Sequence, residues 1–298
     1  MRNLRLPGLL LAALLVPAAP AGAAVHVRSA IVYGHARVGA PTARTVALVL
    51  DLYRPARRSR ARRPVVVLIH GGGYAHGNRR ERGLVRIAGA LAARGIVAAS
   101  IDYRLVGSRP QPSRRVRPLV DALPASVFSR AEAAAADDTL TAIGFLRRHA
   151  RRFGVDPARV GLAGSSAGAT TAADVAYSLD DHGIPAPRIR FVGDLWGGIF
   201  VDAPRFGDPT AVQLEHGEAA LFCVHGAADP IVPVMLDDQL VARARAQHVR
   251  HEYHRIRGAG HGYASTGFFT RRVAGRQTAF DRLLRFASTA LRRHRKAG

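Results

Sequence analysis

Three residues in the second half of the chain have the types needed to turn a hydroxyl into a nucleophile. Ser166 lies in Gly164-Ser-Ser-Ala-Gly168, Asp229 in Val224-His-Gly-Ala-Ala-Asp229, and His261 in Gly258-Ala-Gly-His-Gly-Tyr263. A serine hydroxyl attacks poorly at neutral pH. It needs a neutral imidazole to take its proton, and a carboxylate to fix the imidazole tautomer and stabilise the imidazolium that forms. The same chemistry needs a home for the charge that builds on an attacked carbonyl oxygen. Gly71-Gly72-Gly73, inside His70-Gly-Gly-Gly-Tyr74, lets backbone N–H groups converge where side chains would block them. Ala167, directly after the serine, adds a further N–H. No Gly-Lys-Ser/Thr follows the glycines, which argues against a nucleotide phosphate loop.

Each residue also has a plainer reading. Gly164 to Gly168 fits G-x-S-x-G, a strand–turn–helix elbow so tight that a Cβ at either glycine would strike a neighbouring element, but an inert turn fits too. Asp229 suits the cap of a helix begun near Ile231. The chain has 13 histidines, so a lone one says little, and His254 is a rival base.

The elements that must position these residues follow from hydrophobic patterning. Strands are expected at residues 44–53, 64–69, 96–101, 160–163, 190–195, 220–224 and 251–256. Helical spacing runs over 82–94, 131–152, 167–179, 234–247 and 277–293. Residues 104–130 hold Pro110, Pro112, Pro118 and Pro124 among many arginines, and read as a long connection and possible lid. Alternating buried strands and helices call for an α/β fold, a single domain with a mostly parallel central sheet and helices on both faces. Ser166, Asp229 and His261 each follow a strand, where such sheets gather their chemistry.

Composition sets the outer limits. With 298 residues and 48% hydrophobic content, the chain has ample material for one core. A basic start (Arg2, Arg5), an apolar run over 6–16 and a small-residue stretch to Ala24 read as a signal peptide, cleaved near Ala23 or Ala24. Residues 25–298 would then form the catalytic domain, secreted or periplasmic. A membrane anchor is the rival, but the run is too short to span and is broken by Pro7 and Pro17. The formal charge of +23 comes almost wholly from arginine, with Lys296 the sole lysine. The arginines are scattered and form no aromatic-interleaved motif, so a compositional bias accounts for them better than specific nucleic-acid binding. Cys223 is the only cysteine, which excludes an intrachain disulfide and any cysteine-based metal site, and suits a small buried hydrophobe.

On these residues the chain resembles the α/β-hydrolase superfamily, close to its esterase/lipase branch with an HGGG oxyanion motif. The likeness extends over most of residues 44–290. It rests on Asp51-Leu-Tyr-Arg-Pro55, His70-Gly-Gly-Gly-Tyr74, Ser100-Ile-Asp-Tyr-Arg-Leu105, Gly164-Ser-Ser-Ala-Gly168, His225-Gly-Ala-Ala-Asp229 and Gly260-His261. The resemblance implies a carboxylic-ester hydrolase with Ser166 as nucleophile, His261 as base and Asp229 as its orienter. Gly72, Gly73 and Ala167 would supply the oxyanion hole, with no cofactor and no metal. The substrate class would be a small-molecule or polysaccharide-linked ester. The chain departs from the hormone-sensitive-lipase-like branch at Ser165, where that branch carries Asp, and at Val106-Gly-Ser-Arg109, where it carries A-P-E. Both departures draw the likeness toward feruloyl- and acetyl-esterase-like enzymes. A serine peptidase or acyltransferase uses the same triad, and a non-catalytic binding protein is the rival from another class. Arg104, Arg109, Arg114, Arg115 and Arg117 either favour anionic esters or form a solvated loop surface. Trp196 either lines the acyl pocket or packs beneath it.

Overall fold

The computed structural model describes residues 24–57, 59–123, 125–199 and 214–292. The expected signal peptide lies outside the described residues, except for Ala24. The chain opens with two long strands, β1 (Val25–Val38) and β2 (Arg44–Pro55), then β3 (Arg63–Ile69), α1 (Arg82–Ala93) and β4 (Val97–Ile101). A long connection holds β5 (Pro110–Gln111) and α2 (Arg117–Ala122), followed by α3 (Val127–Arg148) and α4 (Ala150–Phe153). The second half runs β6 (Val155–Ser165), α5 (Ala167–Tyr177), β7 (Phe191–Leu195), β8 (Ala220–Gly226), α6 (Met235–Ala246) and β9 (His251–Ile256). After α7 (Gly262–Thr266), a small hairpin of β10 (Arg272–Ala274) and β11 (Gln277–Thr278) leads into α8 (Ala279–Ala290).

The main sheet has the order β5-β1-β2-β4-β3-β6-β7-β8-β9. From β4 to β9 every neighbour pair is parallel, while β1, β2 and β5 add an antiparallel edge. The apolar runs explain the parallel block. In β3, Val65, Val67 and Ile69 face the layer built by α3, α5 and α6, and Val66 and Leu68 face the layer of α1 and α8. A strand buried on both faces needs apolar residues at both phases of its two-residue period. Each such side chain contributes about 1.5–3 kcal/mol through burial.

The sequence did not reveal β1. Most of its residues are at least partly exposed, and its register against β2 shifts twice, between Arg28 and Ile31 and between Val32 and Gly34. It therefore carries no continuous apolar run. β6 begins at Val155, five residues before the strand expected at 160–163, so Asp156 and Pro157 lie within it.

The connection after β4 is fastened by its arginines. Arg104 is buried and pairs with Asp138 at 2.8 Å and Asp137 at 3.0 Å, both on α3. Arg115 also binds Asp137, which accepts from the Ser113 N–H and hydroxyl as well. Arg117 pairs with Asp121 one turn on, and Arg109 donates to the Ala40 carbonyl. Four of the five arginines considered as anion binders are thus spent on internal partners.

Candidate active site

The elbow forms as its glycines require. Ser166 sits between β6 and α5 at φ 53° and ψ −127°, a region that non-glycine residues seldom occupy. Its N–H donates to the Leu195 carbonyl at 2.9 Å, which ties the turn to the end of β7. A Cβ on Gly164 would lie 2.3 Å from the Gly168 carbonyl group, and one on Gly168 would lie 2.2 Å from the Ile69 oxygen. Only glycine fits at either position.

Ser166, His261 and Asp229 meet above the carboxyl ends of β6, β8 and β9. The Ser166 Oγ lies 2.9 Å from His261 Nε2, and His261 Nδ1 lies 2.7 Å from Asp229 Oδ2. α6 starts only at Met235 rather than near Ile231, but Asp229 does cap the turn at Ile231 as well as facing the imidazole. Its Oδ1 accepts from the N–H groups of Ile231 (2.8 Å) and Val232 (3.0 Å), capping the turn, while Oδ2 faces the imidazole. Burial of this carboxylate raises its pKa, but the two backbone donors and His261 outweigh that and hold it below the ordinary aspartate value. His254 is engaged elsewhere. It pairs with Glu252 at 2.7 Å, and Glu252 in turn binds Arg282 on α8.

A second, fully buried layer lies behind Asp229. His225, at the end of β8, places Nε2 3.2 Å from Asp229 Oδ2 and Nδ1 2.9 Å from Asp237 Oδ2. Burial alone would lower the His225 pKa; Asp237 and Asp194 reverse this and raise it to about 9. Asp194 is pushed well up, first by burial and then by Asp237, while its two oxygens accept from Gly197 and Gly198. Asp194, Cys223 and Asp237 are the one grouping of metal-ligand types among the described residues. Both Asp194 oxygens accept from backbone N–H groups and Asp237 Oδ2 faces His225, which leaves Asp237 Oδ1 buried without a hydrogen-bond partner among the described residues. Cys223 is buried and free.

The glycine loop faces the serine from the other side. Gly72 and Gly73 take φ values of 106° and 58°, and Tyr74 follows at 59°. A Cβ on Gly71 would meet the Ser165 carbonyl oxygen at 2.8 Å and the Ser166 Cβ at 3.3 Å, so this loop rests directly on the elbow. The Gly71 N–H is already used, donating to Glu81 Oε2 at 3.3 Å. Those of Gly72 and Gly73 donate to no described residue. The Ala167 N–H opens α5 and is one of the helix's orphan donors. His70 braces the loop from beneath: it stacks on Tyr103 at 4.2 Å, and Nδ1 contacts the Gly71 carbonyl at 2.7 Å. Burial lowers its pKa, favouring a neutral ring.

Trp196 is 1% exposed and packs edge-on against His261 and Tyr263, so it lies beneath the site. Glu81, His225 and Tyr263 are the contributors that sequence reasoning missed. Glu81 sits in Arg79-Arg80-Glu81-Arg82, which reads as ordinary surface charge. His225 stood inside a quoted motif, but nothing local says that it faces Asp229. Chemically, the arrangement joins a hydroxyl, a proton acceptor, a buried anion behind that acceptor and convergent N–H donors.

Comparison with known proteins agrees with this architecture. A family model described as BD-FAE matches residues 50–116, and one described as the alpha/beta hydrolase fold matches residues 130–211. Carboxylesterase NlhH of Mycobacterium tuberculosis is 34% identical over 122 residues, covering 41% of this chain and 31% of that protein. Esterase LipC of the same organism is 27% identical over 254 residues, covering 73% of this chain and 57% of LipC. The chain thus spans only 31% to 57% of the length of these relatives. Among solved structures, Thermogutta terrifontis esterase 2 phosphonylated by cyclosarin is similar at 25% identity and a TM-score of 0.61, covering 91% of this chain and 93% of that one. A truncated carbohydrate esterase from gut microbiota shares the fold at 16% identity and a TM-score of 0.60, covering 89% and 96%.

Proposed function

We propose that this chain, which belongs to the α/β-hydrolase superfamily, hydrolyses carboxylic esters through an acyl-enzyme on Ser166. One observation carries the reading: the unbroken line from Ser166 Oγ to His261 Nε2 at 2.9 Å and from His261 Nδ1 to Asp229 at 2.7 Å. Neutral His261 takes the hydroxyl proton as Oγ bonds to the ester carbon, and the carbonyl π electrons move onto oxygen. The N–H groups of Gly72, Gly73 and Ala167 then hold that oxyanion, each lowering the barrier by about 3 kcal/mol. Collapse of the intermediate breaks the bond to the alcohol, which leaves with the proton held on His261. Water, deprotonated by the same imidazole, frees the acid and restores Ser166.

The esterase names of its relatives, and the organophosphonate adduct on one structural neighbour, support this chemistry. They also choose the test. A fluorophosphonate should label the protein once per chain at Ser166, and Ser166→Ala should abolish both label and ester hydrolysis. A full label on the alanine variant contradicts the assignment. The substrate proposed is a small or polysaccharide-linked ester. Relative rates on nitrophenyl esters from acetyl to palmitoyl, and on feruloyl esters, test this; peptide cleavage exceeding all of them would overturn it. Export is proposed from the leader-like first 24 residues. It predicts that chain recovered outside the cytoplasm begins near residue 24 or 25, and full-length chain confined to the cytoplasm would contradict it.

A further inference from the structure

We propose that Glu81 is a positioning residue for the Ser166 reaction, its carboxylate holding the glycine loop and the nucleophile elbow in one register. This deepens the hydrolase reading and rests on it. Two hydrogen bonds converge on the one side chain. Glu81 Oε2 accepts from the Gly71 N–H at 3.3 Å and from the Ser165 hydroxyl at 3.3 Å. Gly71 directly precedes the proposed oxyanion donors, and Ser165 directly precedes the nucleophile. Tyr263, two residues after His261, stands beside them: its ring lies against Gly83, and its buried hydroxyl lies near Glu81 and Ser165 without a hydrogen-bond partner among the described residues.

The base of this link is fixed. The Glu81 carbonyl accepts the Val85 N–H at 2.9 Å, so its backbone forms the start of α1. Just before it, Arg79 pairs with Asp51 at 2.9 Å and with Asp102, and Arg80 pairs with Asp51 at 3.3 Å. Just after it, Gly83 accommodates the Tyr263 ring: a Cβ there would fall 2.3 Å from ring carbons. The first turn of α1 and the His261 loop are therefore in direct contact through these two residues.

The chemistry gives such a link its value. Oxyanion donors work only when they lie about 2.7–3.1 Å from where the charged oxygen will be. A displacement of about 1 Å at a reacting centre costs roughly a hundredfold. By occupying the Gly71 N–H, Glu81 fixes the orientation of the peptide units that follow it. Burial pushes the Glu81 carboxyl pKa up, opposed by donation from the Gly71 N–H and the Ser165 hydroxyl. A carbonyl oxygen in the same place would serve both donors equally well, so the acceptor matters here and the charge does not.

The test compares the wild type with Glu81→Ala, Glu81→Gln and Ser165→Ala. The readouts are kcat and KM on nitrophenyl acetate, inhibition by an alkylboronic acid that forms a tetrahedral serine adduct, fluorophosphonate labelling and thermal unfolding. Glu81→Ala is expected to lower kcat by about 30-fold with KM within about threefold, and to weaken the boronate by a matching factor. It should still take one label per chain at Ser166, more slowly. Glu81→Gln should return to within about fivefold of wild type. The proposal is overturned if Glu81→Ala keeps kcat within about threefold, if Glu81→Gln is as impaired as the alanine variant, or if boronate affinity does not change with kcat. Should Glu81→Ala fail to fold, the other two variants decide: Glu81→Gln must stay near wild type, and Ser165→Ala must lower kcat and boronate affinity together. A wild-type protein that takes no label at Ser166 removes the hydrolase reading itself, a result distinct from any of these.

Discussion

On one side of Ser166 the chain offers backbone, and on the other it offers side chains. The 70–74 loop reaches the serine through glycines, with Gly71 lying against the elbow and Gly72 and Gly73 at positive φ, and its useful groups are amide N–H donors. The opposite side is a line of side chains, His261, Asp229, His225 and Asp237, linked at 2.7–3.2 Å and borne on the ends of β8 and β9 and on α6. The two sides meet different demands. A developing oxyanion needs fixed dipoles that do not reorganise during the reaction. A travelling proton needs groups that change charge, and those must be oriented by neighbours. One side should therefore fail through geometry and the other through charge.

The largest expected effect is at the point they share. Ser166→Ala should lower kcat by about 10⁴-fold or more with little change in thermal stability, measured by ester turnover and calorimetry. Asp229→Asn comes next, and separates the two functions of that residue. The amide oxygen can still accept from Ile231 and Val232, so the fold should hold, while an amide N–H facing His261 selects the wrong tautomer. A loss of about 10⁴-fold in kcat is expected at nearly unchanged melting temperature. On the backbone side, Gly72→Ala places a Cβ 2.1 Å from the His76 carbonyl oxygen at a φ of 106°. It should cost about 10²-fold or more in kcat and weaken a boronate inhibitor in step. Equal inhibitor affinity in this variant would erase the contrast between the two sides.

Smaller effects sharpen the side-chain half. His225→Asn removes the group that faces Asp229 from behind, and should lower kcat by about tenfold. Glu252, which ties β9 to α8 through Arg282 and also holds His254, tests how that half is anchored. Burial raises its pKa, but His254 and Arg282 lower it overall from the model-peptide value of 4.5 to about 2. A folded-state value below the unfolded one means stability that is present above the unfolded pKa and lost as pH falls toward 2. Glu252→Gln should therefore flatten the decline of melting temperature below about pH 4.5, while leaving kcat near wild type. An unchanged acid slope would refute the role given to this ion pair.

The sequence disclosed these halves unequally. Ser166, Asp229 and His261 could be singled out because each follows an apolar strand, and a parallel sheet delivers strand ends to one edge. β3 was visible because burial on both faces demands an uninterrupted apolar run, here Val65 to Ile69. β1 was not, since most of its residues are at least partly exposed and its register slips twice. Glu81 and His225 were hidden for another reason. Their partners are 84 residues away at Ser165 and four residues away across a turn at Asp229, and neither relation has a period to detect. Neither reading of the arginines after β4, anion binder or solvated loop surface, fits Arg104 and Arg115, which are bound to α3 aspartates.

The central claim is that a covalent bond forms at one serine, and trapping that bond tests it most directly. Protein mixed with nitrophenyl acetate, quenched in acid within the first turnover and digested for mass spectrometry should carry one acetyl group, on the peptide containing Ser166. An acetyl group on another residue, or rapid turnover with none trapped at any quench time, would contradict the account.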